Sequence, residues 1–418
     1  MNNTRYILTE YSFRDTKGVL AFSLDRKTGT MASVNFTPFM QKDNIAALGD
    51  IFVAKVTNVV KQMNAAFILY APNKKGYLPI HAEYTPIIIN RKYDGRILAG
   101  DEMIVQLEKE AVRTKEPVFT MNLSLAGKYS VVSYANTYKG VSKKCTKLER
   151  EQLRVAIPQE IDFGVVVRTN AASLLSKLDK KQSPDMLKPV TDEIHYLNQR
   201  MSLLIQEGIH RTCYSRIWQS VPSYLTAMRD EGIVYQQILT DNSKLYQELK
   251  DFAALYMPEQ IANISMYQDD SYPLQKLYRV ETQISELLSR KVWLKSGAYL
   301  IIEKTEAMYV IDVNSGKNIV KKESAAYIYE INIEAANEIM RQIRLRNLTG
   351  MILVDFINME ENEKIEALLQ ELRVLAKKDH IQTTIVDMTP LGLVEITRKK
   401  TTKSLAEQFG CYSSAMQN

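Results

Sequence analysis

Two apolar segments that each lead into an aspartate constrain the fold of this chain more than any other feature. Residues 309–311 run into Asp312, and residues 351–354 run into Asp355. Continuous apolar runs are typical of buried strands, and open α/β sheets bind ligands at the carboxyl ends of their strands. If the two strands are neighbours, two carboxylates meet there and repel each other unless a cation lies between them. Mg²⁺ suits such a pair because it takes oxygen ligands and retains several waters.

The sequence between the aspartates predicts a helix that connects the two strands. Arginines fill its last predicted turn, and the segment Asn-Leu-Thr-Gly at 347–350 ends it. A strand, a helix and a strand in this order form a crossover with parallel strands, which puts both strand ends at the same edge of the sheet. The helix is predicted from one apolar stripe at spacings of three and four residues: Ile328, Ile331, Ala335, Ile339 and Ile343.

Asn314 strengthens the interpretation of the aspartates as a site. On a strand it faces the same way as Asp312, and its amide can orient a phosphate or a metal-bound water without adding charge. Lys317 follows after a flexible turn and supplies a cation. Aspartates at strand ends also form turns and helix N-caps, and this structural explanation suits either aspartate alone. It explains the pair with Asn314 less well.

Composition places the chain among folded proteins of several domains. It has 418 residues, 45% hydrophobic and 24% charged, and its net charge of +6 favours a polyanionic partner only weakly. We expect neither a signal peptide nor a membrane span, because the sequence contains no apolar segment of the required length. Cys145, Cys213 and Cys411 are dispersed and odd in number, which favours a reducing cytoplasm over a disulfide framework.

Short strands separated by turns over residues 49–107 predict a small barrel. The Gly-Tyr-Leu-Pro sequence at 76–79 is typical of an S1-type oligonucleotide-binding barrel. In that fold Phe67 and Tyr77 could stack on bases while Lys109 and Lys115 contact phosphates. Membership of both aromatic rings in the barrel core is an equally open alternative.

A second polar strand end follows the apolar run at 164–167, where Arg168 and Thr169 stand side by side. A guanidinium binds a terminal phosphate with two hydrogen bonds, and a hydroxyl adds a donor. Taken alone, the pair is explained better by a structural salt bridge. Residues 216–290 are mostly helical in pattern.

An ordered set of motifs runs through the second half of the chain, at residues 288–300, 305–307, 311–314, 334–336, 341–346, 354–357 and 389–399. This set resembles the ribonuclease E/G family. The similarity is dense over residues 286–400 and thinner but collinear over residues 45–215, and so long a set is specific.

The resemblance implies an endoribonuclease of single-stranded, preferably 5′-monophosphorylated RNA that acts in rRNA maturation and mRNA decay. Such an enzyme leaves 5′-phosphate and 3′-hydroxyl ends, needs Mg²⁺ (with Mn²⁺ as a substitute) and does not use DNA. The implied fold is α/β, in the sense of a mixed α+β multidomain protein. Its parts are an RNase H-like domain (1–45 and 216–287) interrupted by an S1-type OB-fold barrel (46–127) and a 5′-sensor domain (128–215), a DNase I-like catalytic domain (288–406) and a tail (407–418).

The resemblance also carries functional residues over to this sequence. Asp312 and Asp355 match the Mg²⁺-binding carboxylates, and Asn314 matches the catalytic asparagine. The other matches are Phe67, Tyr77, Lys109 and Lys115 as RNA contacts of the barrel, Arg168 and Thr169 as the 5′-phosphate sensor, and Lys143 and Lys144 where relatives carry arginines.

Two departures from the family pattern affect the expectations. Many relatives carry a Cys-x-x-Cys that shares zinc between two protomers, whereas Cys411 stands here without a partner. We therefore expect no zinc and no zinc-linked dimer. His380 and Gln382 stand where relatives tend to carry arginines, which predicts slower turnover if such an arginine stabilises the transition state. The alternative function is an S1-domain RNA-binding or ribosome-associated factor with weak or no catalysis.

Overall fold

The computed structural model describes residues 4–25, 28–39, 46–111, 115–175, 184–269, 271–316, 325–400 and 402–411. The chain divides into two compact units. The discontinuous unit comprises Met1–Phe39 and Ser223–Asn418, and the inserted unit comprises Met40–Pro222. Lys317 and the end of the tail, residues 412–418, lie outside the described residues.

The elements are numbered in chain order over the described residues. The strands are β1 (Arg5–Phe13), β2 (Thr16–Leu24), β3 (Met31–Pro38), β4 (Ile51–Val60), β5 (Ala65–Ala71), β6 (Lys74–Pro79), β7 (Glu102–Lys109), β8 (Val118–Thr120), β9 (Ser124–Ala126), β10 (Ser130–Ser133), β11 (Lys139–Val141), β12 (Gly164–Val167), β13 (Arg216–Trp218), β14 (Gln237–Thr240), β15 (Ile264–Met266), β16 (Lys291–Trp293), β17 (Tyr299–Lys304), β18 (Met308–Asn314), β19 (Gly350–Asp355), β20 (Thr383–Met388) and β21 (Leu393–Arg398). The α-helices are α1 (Lys147–Arg154), α2 (Ala172–Leu175), α3 (Lys188–Gly208), α4 (Ser223–Asp230), α5 (Ser243–Tyr256), α6 (Leu274–Leu277), α7 (Val280–Leu288), α8 (Ala325–Leu345), α9 (Asn362–Lys377) and α10 (Leu405–Gln408).

A five-stranded sheet of the discontinuous unit joins strands from both sides of the insertion. Its order is β15-β14-β1-β2-β3, with β1 antiparallel to β2 and parallel to β14. Phe36 stacks on Phe409 in its core, which also buries Cys411. Helices fill much of residues 216–290 as the pattern predicts. That range also holds β13, β14 and β15, which have three or four residues each and are too short to show a clear strand pattern.

A six-stranded sheet of the same unit has the order β16-β17-β18-β19-β21-β20. Strands β18 and β19 are parallel and α8 connects them, so the predicted crossover is confirmed. Ile331, Ala335, Ile339 and Ile343 of the predicted stripe are buried against the sheet, whereas Ile328 is half-buried. Helix α9 contributes to the same core.

Only one face of this sheet is fully buried. Strand β18 buries Tyr309, Ile311 and Val313, whereas Asp312 and Asn314 point to the opposite side. The apolar runs are typical of buried strands, whereas β18 and β19 each bury one face only. We call the other side the open face; it carries Val310, Asp312, Asn314, Met351 and Asp355.

The inserted unit begins with a closed barrel of five strands in the order β4-β5-β6-β8-β7, which β4 and β7 close by pairing with each other. Ile68, Leu78 and Phe119 fill its core. A Cβ at Gly76 would lie 2.6 Å from the Phe119 ring, so this position of the predicted Gly-Tyr-Leu-Pro sequence requires glycine. The barrel prediction is confirmed.

A four-stranded sheet, β11-β12-β10-β9, completes the inserted unit and packs against α3. Strands β11 and β12 are parallel, so their carboxyl ends lie together. Across the described part of the chain, every helix is too short or too polar to cross a bilayer.

Within each unit, a hydrogen bond joins residues near the two positions where the chain passes from one unit to the other. In the inserted unit the buried Asp50 accepts hydrogen bonds from the Ser220 amide at 2.7 Å and from its hydroxyl at 2.9 Å. In the discontinuous unit the hydroxyl oxygens of Thr37 and Ser223 lie 2.6 Å apart. The inserted unit therefore leaves and rejoins the rest of the chain at neighbouring points.

Candidate active site

Asp312 and Asp355 lie side by side on the open face of the six-stranded sheet. They are direct register partners on the parallel strands β18 and β19, which places their backbones about 4.8 Å apart. Asp312 is half-buried and Asp355 is exposed. The crossover connection therefore produces the carboxylate pair that the sequence pattern predicts, on the sheet face rather than beyond the strand ends.

Asn314 completes this cluster from the same strand and the same face. Its Nδ2 donates a 2.6 Å hydrogen bond to Oδ2 of Asp312, which fixes the two side chains relative to each other. The chain then turns at Gly316, where φ is +70° and a Cβ would lie 2.5 Å from the Gly297 carbonyl oxygen. Glycine is therefore required directly behind the cluster.

Two residues of α8, Asn332 and Glu334, support the site, and the sequence pattern indicates no role for either. Asn332 is fully buried; its Nδ2 donates to the Ile357 carbonyl at 2.8 Å, and its Oδ1 accepts from the Ile357 amide at 3.1 Å. Glu334 accepts from the Lys295 amide at 2.8 Å and thereby holds the loop that contacts Gly316. An amide beside the apolar stripe of a buried helix is the sequence signal for Asn332.

The donor set of the cluster fits a hard divalent cation. Two carboxylates and an amide offer only oxygen ligands, as Mg²⁺ prefers, and Mg²⁺ usually takes one or two carboxylates and completes its shell with water and substrate phosphates. Zinc in proteins prefers cysteine and histidine. Within the described residues, no three His, Cys, Asp or Glu side chains are grouped so that they could hold a metal.

The barrel residues lie along one row across its outer surface. Phe67 and Tyr77 are register partners with ring centroids 5.9 Å apart, and both rings are half-exposed instead of belonging to the core. Val118 pairs with both Tyr77 and Lys109, so the exposed Lys109 continues the row. The exposed Lys115 lies two residues before Pro117, whose carbonyl accepts from the Tyr77 amide.

The structure brings Arg168 and Thr169 close to the lysine pair of the sensor hypothesis. They follow β12, and Lys143 and Lys144 follow its parallel neighbour β11, with Val141 and Val167 in register. Arg168 donates a 2.6 Å hydrogen bond to the Gly127 carbonyl, and Thr169 and both lysines are exposed. A cationic edge therefore forms at the carboxyl ends of two strands.

His380 and Gln382 lie far from the carboxylate pair. Thr383 is in register with Arg398, which pairs with Gly350 at the beginning of β19, whereas Asp355 ends that strand. Five residues of strand separate the two rows by roughly 17 Å. The reason for expecting slower turnover therefore does not hold for these two residues.

Comparison with known proteins identifies the family. The model of the "Ribonuclease E/G family" matches residues 124–401. Ribonuclease G of Salmonella typhimurium is 31% identical over 86% of this chain and 74% of its own length, and Ribonuclease G of Escherichia coli (strain K12) is 30% identical over the same shares. The chain belongs to the Ribonuclease E/G family. Ribonuclease E of Nostoc sp. is 29% identical over 87% of this chain and 52% of its own.

The matched range of the Ribonuclease E/G family contains the carboxylate pair, Asn314 and the cationic edge. The barrel row from Phe67 to Lys115 precedes it. The catalytic and sensor assignments therefore lie within the range that the family model matches, and the barrel assignment depends more on the geometry described above.

Proposed function

We propose that this member of the Ribonuclease E/G family is a Mg²⁺-dependent endoribonuclease that hydrolyses single-stranded RNA and leaves 5′-phosphate and 3′-hydroxyl ends in rRNA maturation and mRNA decay. Family membership supports the ribonuclease class. The observation that carries the metal dependence is the register pair of Asp312 and Asp355 beside Asn314. Mn²⁺ is expected to substitute for Mg²⁺, and no zinc is expected.

In the proposed mechanism the chain supplies position and charge. Asp312 and Asp355 would hold the cation from adjacent strands, and Asn314 keeps the Asp312 carboxylate oriented. A divalent cation supplies Lewis-acid polarisation of the scissile phosphate and makes a bound water more acidic. Because positioning and charge neutralisation provide most of the catalysis at phosphate esters, so small a group of side chains suffices.

The inserted unit is proposed to grip the RNA. Its outer barrel row offers Phe67 and Tyr77 for base stacking and Lys109 and Lys115 for phosphates, which suits unpaired RNA of varied sequence. The cationic edge of Arg168, Thr169, Lys143 and Lys144 is proposed to bind a 5′-monophosphate.

The domain assignments also remain part of the proposal. The discontinuous five-stranded sheet supports an RNase H-like domain, and the six-stranded sheet supports a DNase I-like catalytic domain. All three cysteines are free thiols, which agrees with the proposed reducing cytoplasm.

The test is cleavage of a 5′-monophosphorylated, single-stranded oligoribonucleotide in Mg²⁺. The wild-type protein should give internal cuts with 5′-phosphate ends, and EDTA should stop them. The double variant Asp312→Asn/Asp355→Asn should lose at least a thousandfold in rate, a magnitude in keeping with removal of electrostatic catalysis. Glu363→Gln, an exposed carboxylate in the first turn of α9, is the matched control and should cut normally.

RNA binding without cutting, alike in the wild type and the double variant, would replace the proposal with the RNA-binding factor. If the double variant still cuts RNA, the metal site does not lie at Asp312 and Asp355 on the open face.

A further inference from the structure

A solvent-exposed tryptophan lies on the edge strand of the six-stranded sheet. Trp293 ends β16 and exposes 64% of its surface. It is in register with Tyr299 on β17, which is in register with Asn314 on β18. Trp293, Tyr299 and Asn314 therefore form one row on the open face. Single exposed apolar residues are common, so exposure alone carries no inference.

The surroundings of Trp293 are organised around a cation. The Lys291 ammonium lies 3.8 Å from the Trp293 ring centroid and 3.7 Å from the Tyr299 ring centroid. The two rings are tilted by 61°, with centroids 5.2 Å apart. Cation–π contacts at these distances hold the ammonium and both rings in place, so the side chains are arranged before any ligand arrives.

The same register connects this platform to the carboxylate pair. Lys291 opposes Ile301, Ile301 opposes Asp312, and Asp312 opposes Asp355. Two strand spacings, roughly 10 Å, separate the backbone of Lys291 from that of Asp312. A platform of two aromatic rings and one cation at this distance matches a nucleotide, which combines a flat base with a negative phosphate.

We propose that Trp293, Tyr299 and Lys291 form a nucleotide subsite in which an unpaired base next to the cleaved bond stacks on Trp293 while Lys291 binds its phosphate. This inference rests on the proposed ribonuclease function and adds a contact within the catalytic sheet itself. Stacking accepts any base, so the subsite positions RNA without selecting its sequence. It also places a positive charge beside a site whose own side chains are acidic.

The direct test uses the fluorescence of Trp293. The chain has two tryptophans, so Trp218→Phe leaves Trp293 as the only indole. Adding Asp312→Asn/Asp355→Asn prevents cutting and removes the repulsion between the carboxylates and phosphate. A ten-nucleotide single-stranded RNA should quench the indole emission, whereas an abasic phosphodiester strand of equal length should not. Equal quenching by both strands, or none by either, would overturn the subsite.

A kinetic test in the active protein follows the same contact. Trp293→Ala should raise KM about 5- to 150-fold, the range that one base stack provides, whereas Trp293→Phe should retain most of the affinity. Tyr272→Ala, which removes another exposed aromatic ring of the discontinuous unit, is the control and should leave KM unchanged. A single abasic nucleotide next to the cleaved bond should impair the wild type and leave Trp293→Ala no worse.

The two proposals fail in different ways. If the protein cuts RNA normally but the effects of the abasic nucleotide and of Trp293→Ala on cleavage simply add, the subsite proposal is wrong and the ribonuclease proposal stands. Specific quenching by RNA in a protein that never cuts would retain the subsite and overturn the ribonuclease.

Discussion

At the scale of single residues, Asn332 shows how a buried polar group positions the chain next to a proposed metal ligand. Its amide lies within the apolar face of α8, where an unpaired polar group would cost free energy. Both ends of the amide bind the backbone of Ile357, two residues beyond Asp355. Asn332 thereby fixes the path of the chain as it leaves the carboxylate.

Replacing Asn332 by leucine should destabilise the protein and misplace Asp355. The partly buried Ile357 amide and carbonyl would lose these partners, at a cost of about 1–3 kcal/mol in the free energy of unfolding. We also expect a lower kcat with little change in KM, because RNA binding depends on other groups. Urea denaturation and steady-state kinetics measure the two effects.

Asn337→Leu is the matched control, since it changes an exposed asparagine of the same helix. Equal losses of stability in the two variants would show that the Ile357 contacts are unimportant.

At the scale of elements, a buried ion pair joins the end of α9 to β21. Nε of Arg398 lies 2.7 Å from Oδ2 of Asp379, and both side chains are almost fully buried. Burial alone raises the pKa of Asp379, but the hydrogen bonds and the charge of Arg398 outweigh it and hold the pKa below its usual value. Arg398 also donates to Oδ1 of Asn347, so the pair anchors the beginning of β19 as well.

Because of this ion pair, the free energy of unfolding should depend on pH in the acid range. Because folding lowers the pKa of Asp379, its contribution is complete above the ordinary value of 3.8 and disappears as pH falls through the folded-state value. Asp379→Asn should therefore lose about 3–5 kcal/mol at pH 7, where Arg398 remains buried and unpaired, and the difference from wild type should narrow below about pH 4.

Urea denaturation at pH 7 and in the acid range measures this dependence. Asp251→Asn, at an exposed position of α5, should change stability little at either pH. A deficit of Asp379→Asn that is independent of pH would contradict the linkage.

At the scale of the whole molecule, the proposed catalytic residues and the proposed RNA contacts lie in different units. The carboxylate pair belongs to the discontinuous unit, and the barrel row and the cationic edge belong to the inserted unit. Changes in the inserted unit should therefore alter which RNA is cut more than whether RNA is cut.

Arg168→Ala tests this division. Loss of a charged hydrogen bond to a terminal phosphate costs about 1.5–3 kcal/mol, so KM for 5′-monophosphorylated RNA should rise roughly 10- to 150-fold. Cleavage of the same RNA with a 5′-hydroxyl should be unchanged. Arg154→Ala, at an exposed position of α1 in the same unit, is the control. Equal losses on both RNAs would assign Arg168 to general binding or folding.

The crossover and its carboxylate pair could be predicted because the apolar stripe of α8 and the apolar runs around it have clear periods. The open face could not be predicted, because Val310 and Leu353 place apolar side chains on it. With apolar residues on both faces, each strand looks like a fully buried one in the sequence. The roles of Asn332 and Trp293 depend on partners brought close by strand register and tertiary packing, which a sequence pattern does not specify.

The paired exit and entry points of the inserted unit have a consequence for synthesis on the ribosome. Strands β1 to β3 emerge early, but the neighbour of β1 in the sheet, β14, is made only after the whole inserted unit. Once the inserted unit folds, its Asp50–Ser220 contact brings its ends together, and the long loop that β14 must close becomes effectively short. We therefore expect the inserted unit to fold first. The sheet of the discontinuous unit is then completed when β14 pairs with β1.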